Sequence, residues 1–131
     1  MRLLLDTCAY SALKRGHAAV AELVRAAERL FLSTIVAGEL LYGFRRGTRF
    51  EPNRRELERF LANPYVELLP VTFVTADRFG RIAASLRRQG TPIPTNDIWI
   101  AAHAFETGAE LVSFDRHFDA VAGLASIHLD S

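Results

Sequence analysis

Four acidic residues stand out because each lies in an otherwise apolar segment. Two follow short apolar runs, one interrupts an apolar helical pattern and one lies near the start of another: Asp6, Asp115, Glu39 and Asp97. A single carboxylate in the first turn of a helix complements the helix dipole, worth about 0.3 to 1 kcal/mol at an exposed site. That explanation suffices for Asp97 taken alone. Four carboxylates in similar settings instead indicate a functional acidic site.

The segment that carries Asp97 has the pattern of a helix with one buried face. A proline-containing run, 91–94, keeps the chain extended up to Thr95, whose hydroxyl we expect to cap the helix. Apolar residues from 98 to 105 recur at helical spacing, and Gly108 is expected to end the helix. Asp97 therefore lies in the first turn.

Strands and helices are expected to alternate along the rest of the chain. Apolar runs predict five strands, at 2–5, 30–32, 66–71, 110–114 and 126–129. Helices are expected at about 7–15, 18–29 and 52–61, with a helical turn at 118–121. Three more are expected: one capped by Ser33 or Thr34 that ends near Gly47, one opened by Thr72 or Thr75 and closed by Gly90, and one that starts at Asn96 or Asp97 after the cap Thr95. This alternation favours an α/β fold with a parallel sheet covered on both faces. Ligands bind such sheets beyond the carboxyl ends of the strands, where Asp6 and Asp115 lie.

Length and composition favour one compact domain over residues 1–131, since half of the 131 residues are hydrophobic. The lone Cys8 rules out an internal disulfide. The apolar run 1–5 meets Asp6 too soon to form a signal peptide or a membrane span. We therefore expect a cytoplasmic protein without a membrane partner.

The formal net charge of +1 conceals a gradient, with +6 on residues 1–94 and −5 on residues 95–131. The densest basic cluster consists of Arg45, Arg46, Arg49, Arg54, Arg55 and Arg59. Arginine suits phosphate because its planar guanidinium donates two parallel hydrogen bonds. A solvated helix face explains the cluster equally well.

Four motifs in order carry a family resemblance: LLDT at 4–7, ELLYG at 39–43, NDIWIAA at 96–102 and LVSFDRHF at 111–118. With them the chain resembles the PIN-domain ribonucleases of the VapC toxin type, over nearly its whole length. The resemblance implies a PIN-like three-layer sandwich whose parallel sheet has the order 3-2-1-4-5. It also implies a metal-dependent endoribonuclease that acts as a toxin, is inhibited by a cognate antitoxin and forms a homodimer.

The resemblance assigns Asp6, Glu39, Asp97 and Asp115 to an acidic pocket that holds Mg²⁺, for which Mn²⁺ can substitute. Hydrolysis of a phosphodiester needs an activated water and positive charge, which two ions about 3.5 to 4 Å apart supply. We expect Asp6 and Asp97 to be ligands, because each begins or ends an element. Glu39 binds through water or orients the nucleophile, and Asp115 binds the second metal or a metal-bound water.

Other polar residues receive lesser roles. Thr7 and Ser113 are expected to donate to a phosphate or to a ligand carboxylate, or to act as caps. Asn96 is expected to hold its loop by an Asx-type bond rather than to contact the substrate. Arg45, Arg46 and Arg49 are expected to contact the RNA backbone, most readily at single-stranded loops. Asp119 is expected to face solvent.

The histidines, Cys8 and three phenylalanines are not assigned to the chemistry of the acidic site. No zinc motif links His17, His103, His117 and His128, which we interpret as structural or surface residues. Cys8 is interpreted as a small packed side chain. Phe44, Phe50 and Phe60 flank the arginine cluster, so they either form a dimer surface or belong to the core.

Two other functions remain open from the residues. One is a non-catalytic metal- or RNA-binding module that acts through a partner protein. The other is a phosphatase of the haloacid dehalogenase type. Such enzymes carry a second acidic residue two positions after the first, and here that position, after Asp6, is Cys8. The phosphatase is therefore disfavoured.

Overall fold

The computed structural model describes residues 1–130, in which five strands alternate with six α-helices. The strands are β1 (Arg2–Leu5), β2 (Arg29–Ser33), β3 (Val66–Leu69), β4 (Glu110–Ser113) and β5 (Ser126–His128). The helices are α1 (Thr7–Lys14), α2 (Ala18–Ala26), α3 (Thr34–Arg46), α4 (Phe50–Leu61), α5 (Phe73–Gln89) and α6 (Thr95–Thr107), and a 3-10 helix spans Arg116–Ala120. The predicted alternation is confirmed.

The five strands form one parallel sheet in the order β3-β2-β1-β4-β5, as predicted. Leu4 of β1 pairs with Phe31 of β2 on one side and with Leu111 of β4 on the other. Strands β2 and β3 therefore lie on one side of β1, and β4 and β5 lie on the other side. The order of the strands changes direction at the boundary between β1 and β4. This is the switch point beside which ligands bind in open parallel sheets.

The central strands are buried on both faces. Leu3, Leu4 and Leu5 of β1 and the pair Leu111 and Val112 of β4 are all 0% exposed. Successive side chains of a strand point to opposite faces, so helices must cover the sheet on both sides. The predicted three-layer sandwich is confirmed. The buried strand β1 ends directly before Asp6, and β4 ends two residues before Asp115.

The N-cap of α6 lies one residue before the predicted cap, Thr95. Pro94 is the N-cap and Thr95 is the first helical residue, with no side-chain cap hydrogen bond, so the assignment of Thr95 as a cap is wrong. The Pro94 carbonyl instead accepts from the backbone N–H of Asp97 at 3.0 Å. Gly108 ends the helix with φ of +72°, a conformation that suits glycine, as predicted.

Several element boundaries differ from the prediction, among them the ends of α2 and β3. Helix α2 ends at Ala26 rather than at Arg29, which begins β2. Strand β3 ends at Leu69 rather than at Val71. The residue that follows Leu69 is Pro70, which lacks the N–H that a strand ladder needs.

The expected apolar surface lies elsewhere. Phe60 is only 6% exposed and contacts Tyr10 edge-to-face, with ring centroids 5.2 Å apart, so it belongs to the core. Phe44 and Phe50 are half-buried. An exposed apolar group instead surrounds the start of α5, where Val71 is 41%, Phe73 89% and Val74 57% exposed. We call these three residues the Phe73 patch.

Cys8 is exposed, so its interpretation as a packed side chain is wrong. Within residues 1–130 no helix combines the length and the apolar character needed to cross a membrane.

Candidate functional site

An open pocket lies beyond the carboxyl ends of β1 and β4. Its walls come from α3, from the start of α6 and from the segment after β4, and its lining residues are Glu39, Pro94, Thr95, Asn96, Asp97, Asp115 and His117. Three of the four predicted acidic residues thus meet in one pocket. The fourth, Asp6, is 5% exposed and is not among the lining residues.

Asp6 is held by two hydrogen bonds at the end of β1. Its Oδ1 accepts from the backbone N–H of Ala9 at 2.8 Å, which makes Asp6 the N-cap of α1. Its Oδ2 accepts from the Ser113 hydroxyl at 2.6 Å. Burial raises the pKa of Asp6, the two hydrogen bonds lower it in part, and the charges of Asp97 and Asp115 raise it further. Asp6 therefore interacts electrostatically with the carboxylates of the pocket, although it does not line the pocket.

Ser113 links Asp6 to the next acidic residue. It is 1% exposed, and its oxygen accepts from the backbone N–H of Asp115 at 2.8 Å while its hydroxyl is donated to Asp6. Of the roles expected for Ser113, the structure shows donation to the carboxylate of one of the predicted metal ligands. The side chain thus orients a carboxylate.

Asp97 lies in the first turn of α6, and its side chain is 17% exposed. Burial raises its pKa, the hydrogen bond with His117 lowers it in part, and the charges of Asp115 and Glu39 raise it. Full ionisation of this pocket is therefore unfavourable unless positive charge enters it.

Glu39 is oriented from two other elements. The Thr7 hydroxyl at the start of α1 donates to Glu39 Oε1, and the Asn96 side-chain amide of α6 donates to Glu39 Oε2 at 3.2 Å. Donation to a carboxylate is one of the roles expected for Thr7. Asn96 was expected to hold its own loop, but its side chain donates to a residue of α3. These bonds fix the Glu39 carboxylate, which lines the same pocket as Asp97 and Asp115.

His117 lines the pocket, although its place in the sequence predicted only a structural or surface residue. Its Nδ1 lies 3.2 Å from Asp97 Oδ2 and 3.0 Å from Asp115 Oδ1. Asp115 caps the 3-10 helix by accepting from the backbone N–H of His117 at 2.8 Å, and the turn brings the imidazole back to the carboxylate. An Asp-x-His spacing directly after a buried strand was the signal that could have found it.

One ligand atom from each of Asp97, Asp115 and His117 lies within 4.8 Å of the other two. Carboxylate oxygens and an imidazole nitrogen are common metal ligands. Together with the raised pKa of Asp97, this donor set fits a cation. The three residues could therefore hold a metal ion.

Comparison with known proteins identifies the family. The PIN domain model matches residues 3–124. Ribonuclease VapC2 of Haemophilus influenzae is 38% identical over 99 residues, which cover 75% of this chain and 74% of that protein. The chain belongs to the VapC ribonuclease family of PIN domains.

Other members of the VapC family match almost the whole chain. The tRNA(fMet)-specific endonuclease VapC of Shigella flexneri is 30% identical over 128 residues, which cover 95% of each protein. The DNA-bound VapBC structure from Salmonella typhimurium has a TM-score of 0.85 at 29% identity and covers 98% of both chains. VapBC-1 from nontypeable Haemophilus influenzae has a TM-score of 0.84 at 28% identity over 98% of both.

His103, the histidine of α6, lies in the core of this PIN domain and connects two of the helices that carry the acidic residues. His103 is 0% exposed, with Nδ1 2.9 Å from Ser33 Oγ and Nε2 3.0 Å from the Pro70 carbonyl. Ser33 also caps α3 by accepting from the N–H of Ile35 at 3.0 Å. His103 therefore joins the helix of Asp97 to the start of the helix of Glu39, which confirms its structural role.

Arg45, Arg46 and Arg49, the three arginines predicted to contact RNA, are exposed in this VapC family member. The first two end α3 and the third follows it. The Arg45 guanidinium stacks over the Phe50 ring at 4.1 Å, and that of Arg46 lies 5.6 Å from the centroid of Tyr42. None of the three lines the acidic pocket. Asp119 is exposed, as predicted, and lies 3.5 Å from Arg116.

Proposed function

We propose that this protein is a divalent-cation-dependent endoribonuclease whose catalytic residues are Asp6, Glu39, Asp97 and Asp115. One observation carries the proposal: four carboxylates from separate segments converge at the switch point of the sheet in a member of the VapC family. We further propose that residues 1–131 form one PIN domain.

Mg²⁺ is the proposed ion, and Mn²⁺ can replace it. A bound ion would supply the positive charge that activates a water and stabilises charge developing on the phosphate. Asp97 and Asp115 would hold the ion from the pocket walls, and Asp6 from its buried position. Glu39, fixed by Thr7 and Asn96, would orient the attacking water. The burial and crowding that raise the pKa of Asp6 and Asp97 support cation binding.

The proposed substrate is RNA. The relatives' names, ribonuclease and tRNA(fMet)-specific endonuclease, support this class. Single-stranded loops are the favoured form, since they expose both backbone and bases. Arg45, Arg46 and Arg49 would contact the RNA phosphates beyond the pocket.

A cognate antitoxin is the proposed protein partner, and the cytoplasm the proposed compartment. Similar solved structures are VapBC complexes, one of them bound to DNA. In this arrangement the chain is the toxin of a toxin-antitoxin pair. It also forms a homodimer, for which the Phe73 patch offers exposed apolar surface.

The test is cleavage of a mixed RNA preparation by the purified protein with Mg²⁺, with Mn²⁺ and with chelator. We expect internal cuts with either ion, none with chelator, and none from the Asp97→Asn variant. Asp119→Asn is the matched control, because it removes one exposed negative charge four residues after Asp115. Sequencing of the new RNA ends would identify the cleaved sites.

Other outcomes assign other functions. An Asp97→Asn protein that cuts the same RNA at the wild-type rate overturns the metal mechanism. Tight RNA binding without cleavage would indicate the non-catalytic module, and release of inorganic phosphate from small phosphomonoesters would indicate a phosphatase.

A further inference from the structure

The imidazole of His117 stands where a third ligand of the proposed metal would stand. Its Nδ1 faces both carboxylates at once, 3.2 Å from Asp97 Oδ2 and 3.0 Å from Asp115 Oδ1. The other residues that line the pocket supply oxygen or apolar atoms, or the amide of Asn96, which already donates to Glu39. His117 is thus the nitrogen ligand available at this site.

Two hydrogen bonds fix the backbone that carries this imidazole. Asp115 accepts from the backbone N–H of His117 at 2.8 Å, and the backbone N–H of Asp115 donates to the Ser113 oxygen at 2.8 Å. The turn that carries His117 is therefore tied to the end of β4. The imidazole side chain itself is half exposed and contacts the two carboxylates through Nδ1.

The distances suit coordination. Two ligands at right angles around an octahedral ion with bonds of about 2.1 Å lie about 3.0 Å apart. Both separations from Nδ1 are close to that value, and the third separation, between the two carboxylates, also falls within 4.8 Å. A hydrogen bond between imidazole and carboxylate has a similar length, so the chemistry of the bound ion must distinguish the two.

We propose that Nδ1 of His117 is a direct ligand of the ion held by Asp97 and Asp115, and that it favours a first-row transition ion such as Mn²⁺ over Mg²⁺. This proposal rests on the proposed function, which places a divalent ion in the pocket. Mg²⁺ prefers oxygen and gives up its waters reluctantly, whereas imidazole suits transition ions. The nitrogen thus raises Mn²⁺ affinity more than Mg²⁺ affinity.

The first measurement is calorimetric titration of chelator-treated protein with Mn²⁺ and, separately, with Mg²⁺. In the His117→Gln variant we expect Mn²⁺ binding to weaken by about tenfold or more, since even outer-sphere partners change metal affinity by 10- to 100-fold. Mg²⁺ binding should change much less. Arg116→Gln is the control, because it alters the neighbouring exposed side chain of the same turn and keeps the nitrogen.

The second measurement is pulsed electron paramagnetic resonance of the Mn²⁺-loaded protein, which detects a ligating ¹⁴N nucleus by its hyperfine coupling. We expect the coupling in the wild type and in Arg116→Gln, and its loss in His117→Gln. This readout does not depend on RNA cleavage.

Three results would overturn the proposal. One is a Mn²⁺-loaded wild type without ¹⁴N coupling, and another is an equal effect of His117→Gln on both ions. The third is tighter binding of both ions by the variant, which would show that the imidazole competes with them. A wild type that binds neither ion overturns the metal-dependent function as well, so the two failures are distinguishable.

Discussion

The Ser113 hydroxyl donates a 2.6 Å hydrogen bond to Asp6 Oδ2 and so joins the ends of β4 and β1 inside the protein. The two residues are 107 positions apart in sequence. Because Ser113 also accepts from the N–H of Asp115, one hydroxyl fixes two of the acidic residues. Buried partners of this kind orient metal ligands and tune their affinity.

Replacing Ser113 by Ala should weaken Mg²⁺ and Mn²⁺ binding by about 10- to 100-fold, because Asp6 loses the donor that orients its buried carboxylate. Calorimetric titration measures the change. Ser126→Ala on β5 is the control, since it removes a hydroxyl from the neighbouring strand at an exposed position. Equal affinities for Ser113→Ala and the wild type would show that the bond contributes only to folding.

Asp97→Asn should stabilise the metal-free protein near neutral pH. The folded-state pKa of Asp97 lies above its ordinary value of 3.8, so its contribution to the unfolding free energy is complete below that value and is lost as the pH rises through the folded pKa. The variant does not ionise and avoids this loss. In chelator its melting temperature should exceed that of the wild type at pH 7, and the difference should vanish below pH of about 3.8.

Saturating Mg²⁺ should reverse that order, because a ligand of the folded state adds about 2.7 kcal/mol at a hundredfold excess over its dissociation constant. The variant should lose most of this gain. Asp119→Asn, an exposed acid outside the pocket lining, should gain as much as the wild type. Asp97 is a structural residue if its replacement lowers the melting temperature equally with chelator and with Mg²⁺.

Replacing Arg45, Arg46 and Arg49 together by Gln should weaken RNA binding and flatten its dependence on salt. Each phosphate contact to a single strand contributes about 0.7 to the slope of log affinity against log salt, so three contacts contribute about 2. Fluorescence anisotropy at several salt concentrations measures this slope. Replacement of three exposed arginines on α5, namely Arg78, Arg87 and Arg88, is the control. An unchanged slope would assign the cluster to the antitoxin or to solubility.

Phe73→Ser should convert a homodimer to a monomer. The Phe73 side chain is 89% exposed in the isolated chain, and burying such a ring contributes about 1.5 to 3 kcal/mol. A two-fold symmetric interface would bury the Phe73 ring of each subunit. Light scattering at micromolar concentration should give twice the chain mass for the wild type and for Tyr42→Ser, whose ring is 64% exposed on α3. A monomeric wild type would contradict the dimer.

The sequence predicted the sheet order through a family resemblance and the positions of the strands through their apolar runs. It failed where the deciding contact is made by residues distant in sequence. For the hydroxyls of Thr7 and Ser113 the sequence left open a phosphate, a ligand carboxylate or a cap as the partner, and folding brings each of them to a carboxylate distant in sequence. Asn96 was expected to hold its own loop and instead donates to Glu39. Position in the chain shows that a polar group needs a partner, but not which partner.

The position of His117 shows a different limit. Its ring reaches Asp97 because Asp115 caps a short 3-10 turn, and the expected turn began one residue beyond His117, at Phe118. His103 was easier to interpret, since an imidazole on an otherwise apolar helix is usually buried with partners. Small changes in where a turn begins decide whether a side chain faces solvent or a site.

The pairing of β1 with β4 has a consequence for biosynthesis. A growing chain carries Asp6 and Glu39 well before β4 and Asp115 are made. Until β4 inserts beside β1, Asp6 lacks the hydroxyl of Ser113 and the pocket lacks a wall. Long-range parallel pairing of this kind is also slow to form. The acidic site of the proposed nuclease is therefore incomplete until β4 has been made and has paired with β1.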